Sequence, residues 1–336
     1  MTAHMNDYNK LTASELGILF ESYTNDALAI CMLSYFVEHV EDPEIKACVE
    51  YGLELSKKHV DIDKNIFREE ELPTPAAFSE QDVNTSAPRL YSDELILHYV
   101  QNLGIMGLNT YSMALPNTTR KSLREHFTHC LQSSAELFNR TTDLSIQKGI
   151  YVRPPTIPYP QQIDFAQKKH FLAGWMGEQR PLTSIEISLL FMNLYRNALG
   201  GALLTGFAQV AQSKKVQNYM TRGAEISKHH NAVFVKFLSE SNIPAPATGN
   251  FTVMTTTDPI FSDKLLMYHT SFLESAGISF YGQSIGGSAR KDLSVAYSRL
   301  IVEAGEYSLD GANIMIDNGW FEKPPSAPDR RELTKG

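Results

Sequence analysis

Apolar residues along this chain recur at steps of three and four. Leu16, Leu19, Phe20, Tyr23, Ala27 and Ile30 make one stripe, and Ile187, Leu190, Phe191, Leu194, Ala198 and Gly201 make another. That period puts the apolar side chains on one face of an α-helix and the polar ones on the other. Each stripe opens on a helix-start signal. Thr12 and Glu15 form a Thr-x-x-Glu capping box flanked by Leu11 and Leu16, and Thr183 and Glu186 repeat it between Leu182 and Ile187. The first helix is predicted to run to about Val40. Asp42-Pro43 and Ser213-Lys214 then restart the chain as N-caps, which makes the first and second helices an antiparallel hairpin. The second helix ends near Glu71 and Asn242, stopped by Leu72-Pro73-Thr74-Pro75 and Ile243-Pro244-Ala245-Pro246.

A stretch without helical period follows in each copy, reaching the caps Ser92 and Ser262. A helix rising 1.5 Å per residue is here about 40 Å long, and about twenty extended residues span roughly 66 Å. The connection can therefore cross the whole bundle and set the second and third helices parallel. The third helices are predicted over Asp93 to Leu115 and Asp263 to Ile285, with Thr118 and Ser288 capping the fourth helices and Gly149 and Gly319 ending them in a left-handed turn. Gly200 and Gly201 in mid-helix predict close packing of a neighbouring helix, because each costs roughly 1 kcal/mol relative to Ala.

All these signals occur twice. The second helices carry the motif Gly52 to His59 (GLELSKKH) and its twin Gly223 to His230 (GAEISKHH), and Tyr151 with Pro154-Pro155 is matched by Phe321 with Pro324-Pro325. A duplication of this extent tests each structural signal against a second copy. The fold class that follows is all-α, two tandem up-down four-helix bundles with a long crossover from the second to the third helix in each. The first bundle is read over residues 1–155, an apolar connecting segment over 156–181 and the second bundle over 182–336. The connector holds Ile163, Phe165, Phe171, Leu172, Trp175 and Met176, too apolar for a free linker, and is expected to pack on one or both bundles.

Composition narrows the function classes. A net charge of -8 gives no global attraction to nucleic acid or anionic lipid. Cys31, Cys48 and Cys130 lie in apolar helical surroundings of the first copy and read as buried thiols of a reducing compartment. Met1 to Lys10 is polar and lacks a secretory signal pattern. The apolar span from Ile187 to Ala211 is interrupted by Asn193, Arg196 and Asn197, so an amphipathic helix explains it better than a membrane span. A cytoplasmic location, mother-cell or spore-associated and not secreted, is expected.

The order of elements resembles the ferritin-like four-helix bundle. More specifically, the tandem repeat, the segment FLAGWMGEQRPLTSIEI (Phe171 to Ile187), the second-helix motifs and the closure by Gly319, Trp320, Pro324 and Pro325 resemble the DUF3231 family over nearly the whole chain. That resemblance implies the fold and a setting in endospore-forming bacilli, where some members are labelled spore-coat proteins by kinship with the CotF type. It implies no established activity.

Candidate chemistry is sparse. A ferritin-type di-metal centre needs Glu-x-x-His on two helices, and neither copy has one. Glu54 and His59 are five apart, as are Glu225 and His230, about 140° around a helix, so neither pair chelates one ion easily. Glu225 with His229 and Glu125 with His129 are four apart and could converge, but Lys58 replaces His229 in the first copy, and Val295 and Arg299 replace Glu125 and His129 in the second. Glu136 and Glu306 are matched and could face a bundle interior, where they would need partners. No metal site is favoured; Glu54, His59, Glu125, His129, Glu136, Glu225, His229, His230 and Glu306 are the weak candidates. For His59 and His230 a structural ring hydrogen-bonded across the bundle is preferred to a ligand. Tyr111 and Tyr281 read as core residues with tethered hydroxyls. Arg120-Lys121 and Arg290-Lys291 read as a solvated face. No nucleophilic triad, phosphate loop or CxxC is present, which weighs against hydrolase, kinase and redox roles.

Three readings result. The first is a non-catalytic, sporulation-associated helical protein acting in interaction or assembly, with protein partners or self-association, no nucleic acid, no membrane span and no cofactor. The second is a ferritin-like metal- or small-ligand-binding protein, with iron or manganese as cofactor and an oxidoreductase as its extreme form. The third holds an apolar ligand near Trp175.

Overall fold

The computed structural model describes residues 10–166, 171, 180–245 and 249–334. It holds eight long helices: α1 (Ala13–His39), α2 (Pro43–Glu69), α3 (Asp93–Ala114), α4 (Lys121–Gln147), α5 (Ser184–Val210), α6 (Lys214–Glu240), α7 (Asp263–Gly287) and α8 (Lys291–Asp317), before a short α9 (Arg330–Leu333). The long helices form two tandem four-helix bundles. In the second, α6 packs on α5, α8 on α7, and α5 also meets α7. None of the helices among the described residues is long and apolar enough to cross a membrane.

Two compact units contain these bundles. One comprises the chain to Ser86, Ile96–Ser145 and the stretch from Gly319; the other comprises Ala87–Leu95 and Ile146–Asn318. The core of the first gathers Leu19, Phe67, Tyr111, Ala114, Leu123, Phe127 and Cys130. That of the second is built on Leu190, Leu194, Phe234, Leu238, Tyr281, Leu293, Tyr297 and Leu300. In the first unit the Glu322 carboxylate accepts from the Ala76 and Ala77 amides. In the second, Tyr91 bridges antiparallel to Val253 and its hydroxyl donates to the Leu203 carbonyl at 2.8 Å.

Helix ends follow the sequence signals closely. Both capping boxes close, and Asp42, Ser213 and Ser262 accept at their N-caps. Glu71 and Asn242 sit at φ 54° and 55° after the second helices, and the next amides, of Leu72 and Ile243, bond back to Phe67 and Leu238. This is a left-handed termination in both copies. Gly149 and Gly319 turn at φ 69° and 68°, as predicted.

The start of the fourth helix departs from expectation. Thr118 and Ser288 are not its caps. The Thr118 hydroxyl donates back to the Ala114 carbonyl, and α8 begins after Arg290 with no side-chain cap of its own. The cap comes from a distant residue instead. Glu15 Oε2 closes the box with the Thr12 amide, while Oε1 accepts from the amides of Thr119 and Arg120 at 2.8 and 2.9 Å. Glu186 does the same with Thr183 and Arg290. A single buried carboxylate thus satisfies orphan donors of two helices at once. Arg290 is not solvated either: it is 1% exposed and its guanidinium forks onto Asp292, while Arg120 pairs with Glu70.

Of the two mid-helix glycines of α5, one has the close neighbour expected of both. Gly201 does meet Ser227, but nothing lies within 4 Å of a Cβ placed at Gly200. The motif glycine Gly223 is the tight one. Tyr219 and Tyr307 stack at 4.2 Å, each hydroxyl donating to the other's carbonyl, and a Cβ at Gly223 would lie 2.3 Å from the Tyr307 hydroxyl. The connector also differs: Ile163 and Phe165 are exposed, so they are not packed as expected, while Leu172, Trp175 and Met176 lie outside the described residues.

Candidate functional site

Three pairs of polar residues spaced four apart project into the first bundle: Ser22 and Asp26 on α1, His59 and Asp63 on α2, His126 and Cys130 on α4. Spacing of four stacks the two side chains of each pair on one helix face. Tyr111 of α3 completes the group. Ser22, His59, Asp63, Tyr111, His126 and Cys130 are all buried, and Asp26 is 13% exposed.

Hydrogen bonds link the helices through this group. His59 Nδ1 lies 3.3 Å from Asp26 Oδ2, and the Tyr111 hydroxyl donates to the same oxygen at 3.4 Å. A carboxylate only accepts, so Nδ1 carries the imidazole proton. His126 Nε2 lies 3.0 Å from Asp63 Oδ1, and the Cys130 sulfur is 3.7 Å from His126 Nδ1. The Cys130 sulfur also hydrogen-bonds to the His59 imidazole, and the Ser22 hydroxyl to the Asp63 carboxylate.

The charges reinforce one another. Burial works against a charged His59, but the bonds to Asp26 and Cys130 outweigh it and push the imidazole up to about 10. His126, opposed by burial and favoured by Asp63 and Cys130, rises to about 9. Burial pushes Asp63 up. Burial raises the Cys130 thiol as well, but the two imidazoles more than reverse this and lower it. Among the described residues, no three His, Cys, Asp or Glu side chains stand arranged around a metal position.

The second bundle keeps the histidine and little else. Asn193 and Asn197 replace Ser22 and Asp26, Phe234 replaces Asp63, and Ala296 and Leu300 replace His126 and Cys130. Asn197 Nδ2 donates to the Tyr281 hydroxyl at 2.8 Å, and that hydroxyl lies 2.9 Å from His230 Nδ1. The tyrosine proton therefore goes to Nδ1, and Nε2–H donates to Glu303 at 3.2 Å. Burial lowers the His230 pKa against the pull of Glu303.

The remaining sequence candidates lie apart from both clusters. Glu54 pairs with Lys58 at 2.6 Å and Glu125 with Lys121 at 3.7 Å, both exposed. Glu136 does not enter the interior: it is exposed on Arg140, whose guanidinium covers the Tyr51 ring. Glu306 is exposed too. His129 lies on the outer surface beside Glu125. Glu225 and His229 line a surface depression with Arg222, Glu303, Glu306 and Asp310, His229 lying 4.0 Å from Glu303. Only His59 and His230 of the candidates are buried among polar partners. Sequence reasoning missed Asp26, Asp63, His126 and Cys130. Their signal is His-x-x-x-Asp and His-x-x-x-Cys, a spacing distinct from Glu-x-x-His and unmatched between the two copies.

The sequence model of a family described as "Protein of unknown function (DUF3231)" matches residues 1–163 and again 170–333. The chain belongs to the DUF3231 family. Each DUF3231 repeat holds one bundle's four long helices, so the two histidine-centred clusters are two versions of one family unit. Among solved structures, the chain is similar to a "putative spore coat protein" from Bacillus halodurans C-125, with 18% sequence identity, a TM-score of 0.42, and coverage of 45% of this chain and 98% of that one. No curated protein matches the chain.

Proposed function

We propose that this DUF3231 protein is a non-catalytic assembly protein that pairs with a second copy of itself through the outer face of α8. The observation that carries this reading is a row of exposed apolar side chains: Val302, Leu309 and Ile316 are 61%, 63% and 59% exposed. Spacing of seven keeps them on one helix face, whereas exposed apolar residues on a monomer are ordinarily scattered. Gly305 and Ala312 lie between them, and nothing stands within 4 Å of a Cβ placed at Gly305. The corresponding positions of the first bundle are Gln132, Asn139 and Ile146, so the stripe is a property of the second repeat.

The face also suggests its occupant. A two-fold interface apposes a surface to itself. A chain of net charge -8 repels its copy in general, but Ser298, Val302, Gly305, Leu309, Ala312 and Ile316 carry no charge across about five turns. A sporulation-associated setting goes with this reading and rests on family membership. The spore-coat description belongs to the structural neighbour and supplies no further support.

Sedimentation velocity of the full chain over a range of concentrations tests the reading. A dimer is expected, and Val302→Glu with Leu309→Glu should weaken it at least tenfold without changing helix content. A wild-type chain that stays monomeric at high concentration, or a dimer indifferent to the double substitution, would sink the idea.

A further inference from the structure

We propose that Cys130 is a redox-active thiol that hydrogen peroxide converts to a sulfenic acid inside the first bundle, with His126 as its proton donor and Asp63 and Asp26 as positioning residues. A chain of bonds closes on the sulfur from two sides. The Cys130 sulfur lies 3.7 Å from His126 Nδ1, and Nε2 of that ring is held by Asp63 Oδ1 at 3.0 Å. From α2 the His59 imidazole also bonds to the sulfur, and its Nδ1 lies 3.3 Å from Asp26 of α1. Tyr111 of α3 donates to the same Asp26 oxygen. One thiol thus meets two imidazoles, each backed by its own carboxylate, which is the order of nucleophile, base and orienting group that activates a cysteine.

Imidazolium donors beside a sulfur favour its ionised form, and a low-dielectric interior makes that attraction count for more than it does in water. Burial opposes the thiolate, but the two imidazoles prevail and Cys130 falls below an ordinary thiol. The other cysteines of the bundle make the contrast. The Cys31 thiol donates to the Ser79 carbonyl at 3.4 Å, and burial pushes the Cys48 thiol up. In the second bundle Leu300, Ala296 and Phe234 stand at the places of Cys130, His126 and Asp63, so that bundle lacks the whole set.

Size selects the oxidant. Cys130 has no exposed surface, and the cluster meets solvent chiefly at His126, 9% exposed, and Asp26, 13% exposed. Hydrogen peroxide, little larger than water, reaches the sulfur by local opening, a motion that native proteins make without unfolding. The thiolate attacks one peroxide oxygen, and an S–O bond forms as the O–O bond breaks. Sulfur loses two electrons and the peroxide gains them. The departing hydroxide takes the proton that His126 Nδ1 holds toward the sulfur and leaves as water, while Asp63 keeps the ring in place.

The test treats the full-length, reduced chain with hydrogen peroxide, stops the reaction with catalase, unfolds the protein in dimedone and quantifies the labelled peptides by mass spectrometry. Cys130 should be oxidised at least about tenfold faster than Cys31 and Cys48. Its rate should change little between about pH 6 and pH 8, a range over which an ordinary thiol gains rate as it ionises. His126→Gln and His59→Gln, each checked for helix content by circular dichroism, should slow Cys130 about tenfold and give it the ordinary thiol's pH profile. Asp63→Asn and Asp26→Asn should move the profile the same way, which a loss of packing alone would not do. Equal rates at the three cysteines would mark oxidation through the unfolded chain and overturn the proposal. So would a Cys130 rate that folded His126→Gln leaves unchanged. Should the variants fail to fold, the three wild-type rates and their pH profiles decide the matter.

Discussion

The amide of Arg120 donates to Glu15 Oε1 at 2.9 Å across 105 residues of sequence. Through this bond the N3 glutamate of α1 also caps α4. Burial alone would raise the Glu15 pKa, but the Thr12, Arg120 and Thr119 bonds outweigh it and hold it down to about 2; Glu186 is held there as well, by Arg180, Thr183 and Arg290 against burial. A carboxylate depressed in the folded state stabilises fully above its ordinary pKa of 4.5 and loses that contribution as pH falls toward 2. Glu15→Gln should therefore cost about 1–3 kcal/mol at pH 7. The gap between variant and wild-type urea curves should narrow below pH 4.5. A gap independent of acid would show that the charge is not what matters.

Two glycines, both within helices of the second bundle, should respond to alanine with opposite signs. At Gly223 a Cβ would press on the Tyr307 hydroxyl and part the stacked pair with Tyr219, a loss of about 1–3 kcal/mol by overpacking. At Gly200 the space is open, and alanine should stabilise by up to about 1 kcal/mol through helix propensity. Thermal unfolding of the two variants side by side checks this. Equal shifts would refute the packing assigned to the Gly223 motif.

Acid should weaken the second bundle before it touches the glutamate caps. His269, buried against Phe207, is pushed down to about 4 by burial, and His230 is lowered too. A histidine with a depressed pKa costs stability as pH falls below its ordinary 6.5, because the unfolded chain takes up the proton first. Chemical unfolding followed from pH 7 to pH 4.5 should show a falling midpoint, and His269→Leu should flatten that decline. If the variant tracks wild type throughout, the buried ring is not the acid-sensitive element.

Much of the architecture was written locally. Thr12 with Glu15, Asp42 with Pro43, and Gly149 each act within a few residues, so their effect on helix ends is visible without tertiary knowledge, and the second copy repeats each lesson. The start of the fourth helix is set from a distance. Thr118 and Ser288 have the right chemistry for a cap, but Glu15 and Glu186 arrive from over a hundred residues away with a charged, fully buried carboxylate, and a charge-assisted bond is the stronger one.

The candidate site divides along the same line. His59 and His230 stood out because they are matched, but matching favours what both bundles need, which is a ring that ties helices together. Asp63, His126 and Cys130 have no counterparts, and each alone reads as an ordinary helix residue. Their meaning comes from α2 and α4 facing one another.

By itself the sequence determined the eight helices, their ends and the duplication, since periodicity, caps and turn residues act over a turn or two of chain. Tertiary structure alone decided that Glu15 and Glu186 each serve two helices, that Gly223 makes room for a tyrosine, and that two histidines, an aspartate and a thiol share one buried place. Those outcomes depend on which faces meet, and facing is set by the packing of whole helices, which no short stretch of residues encodes.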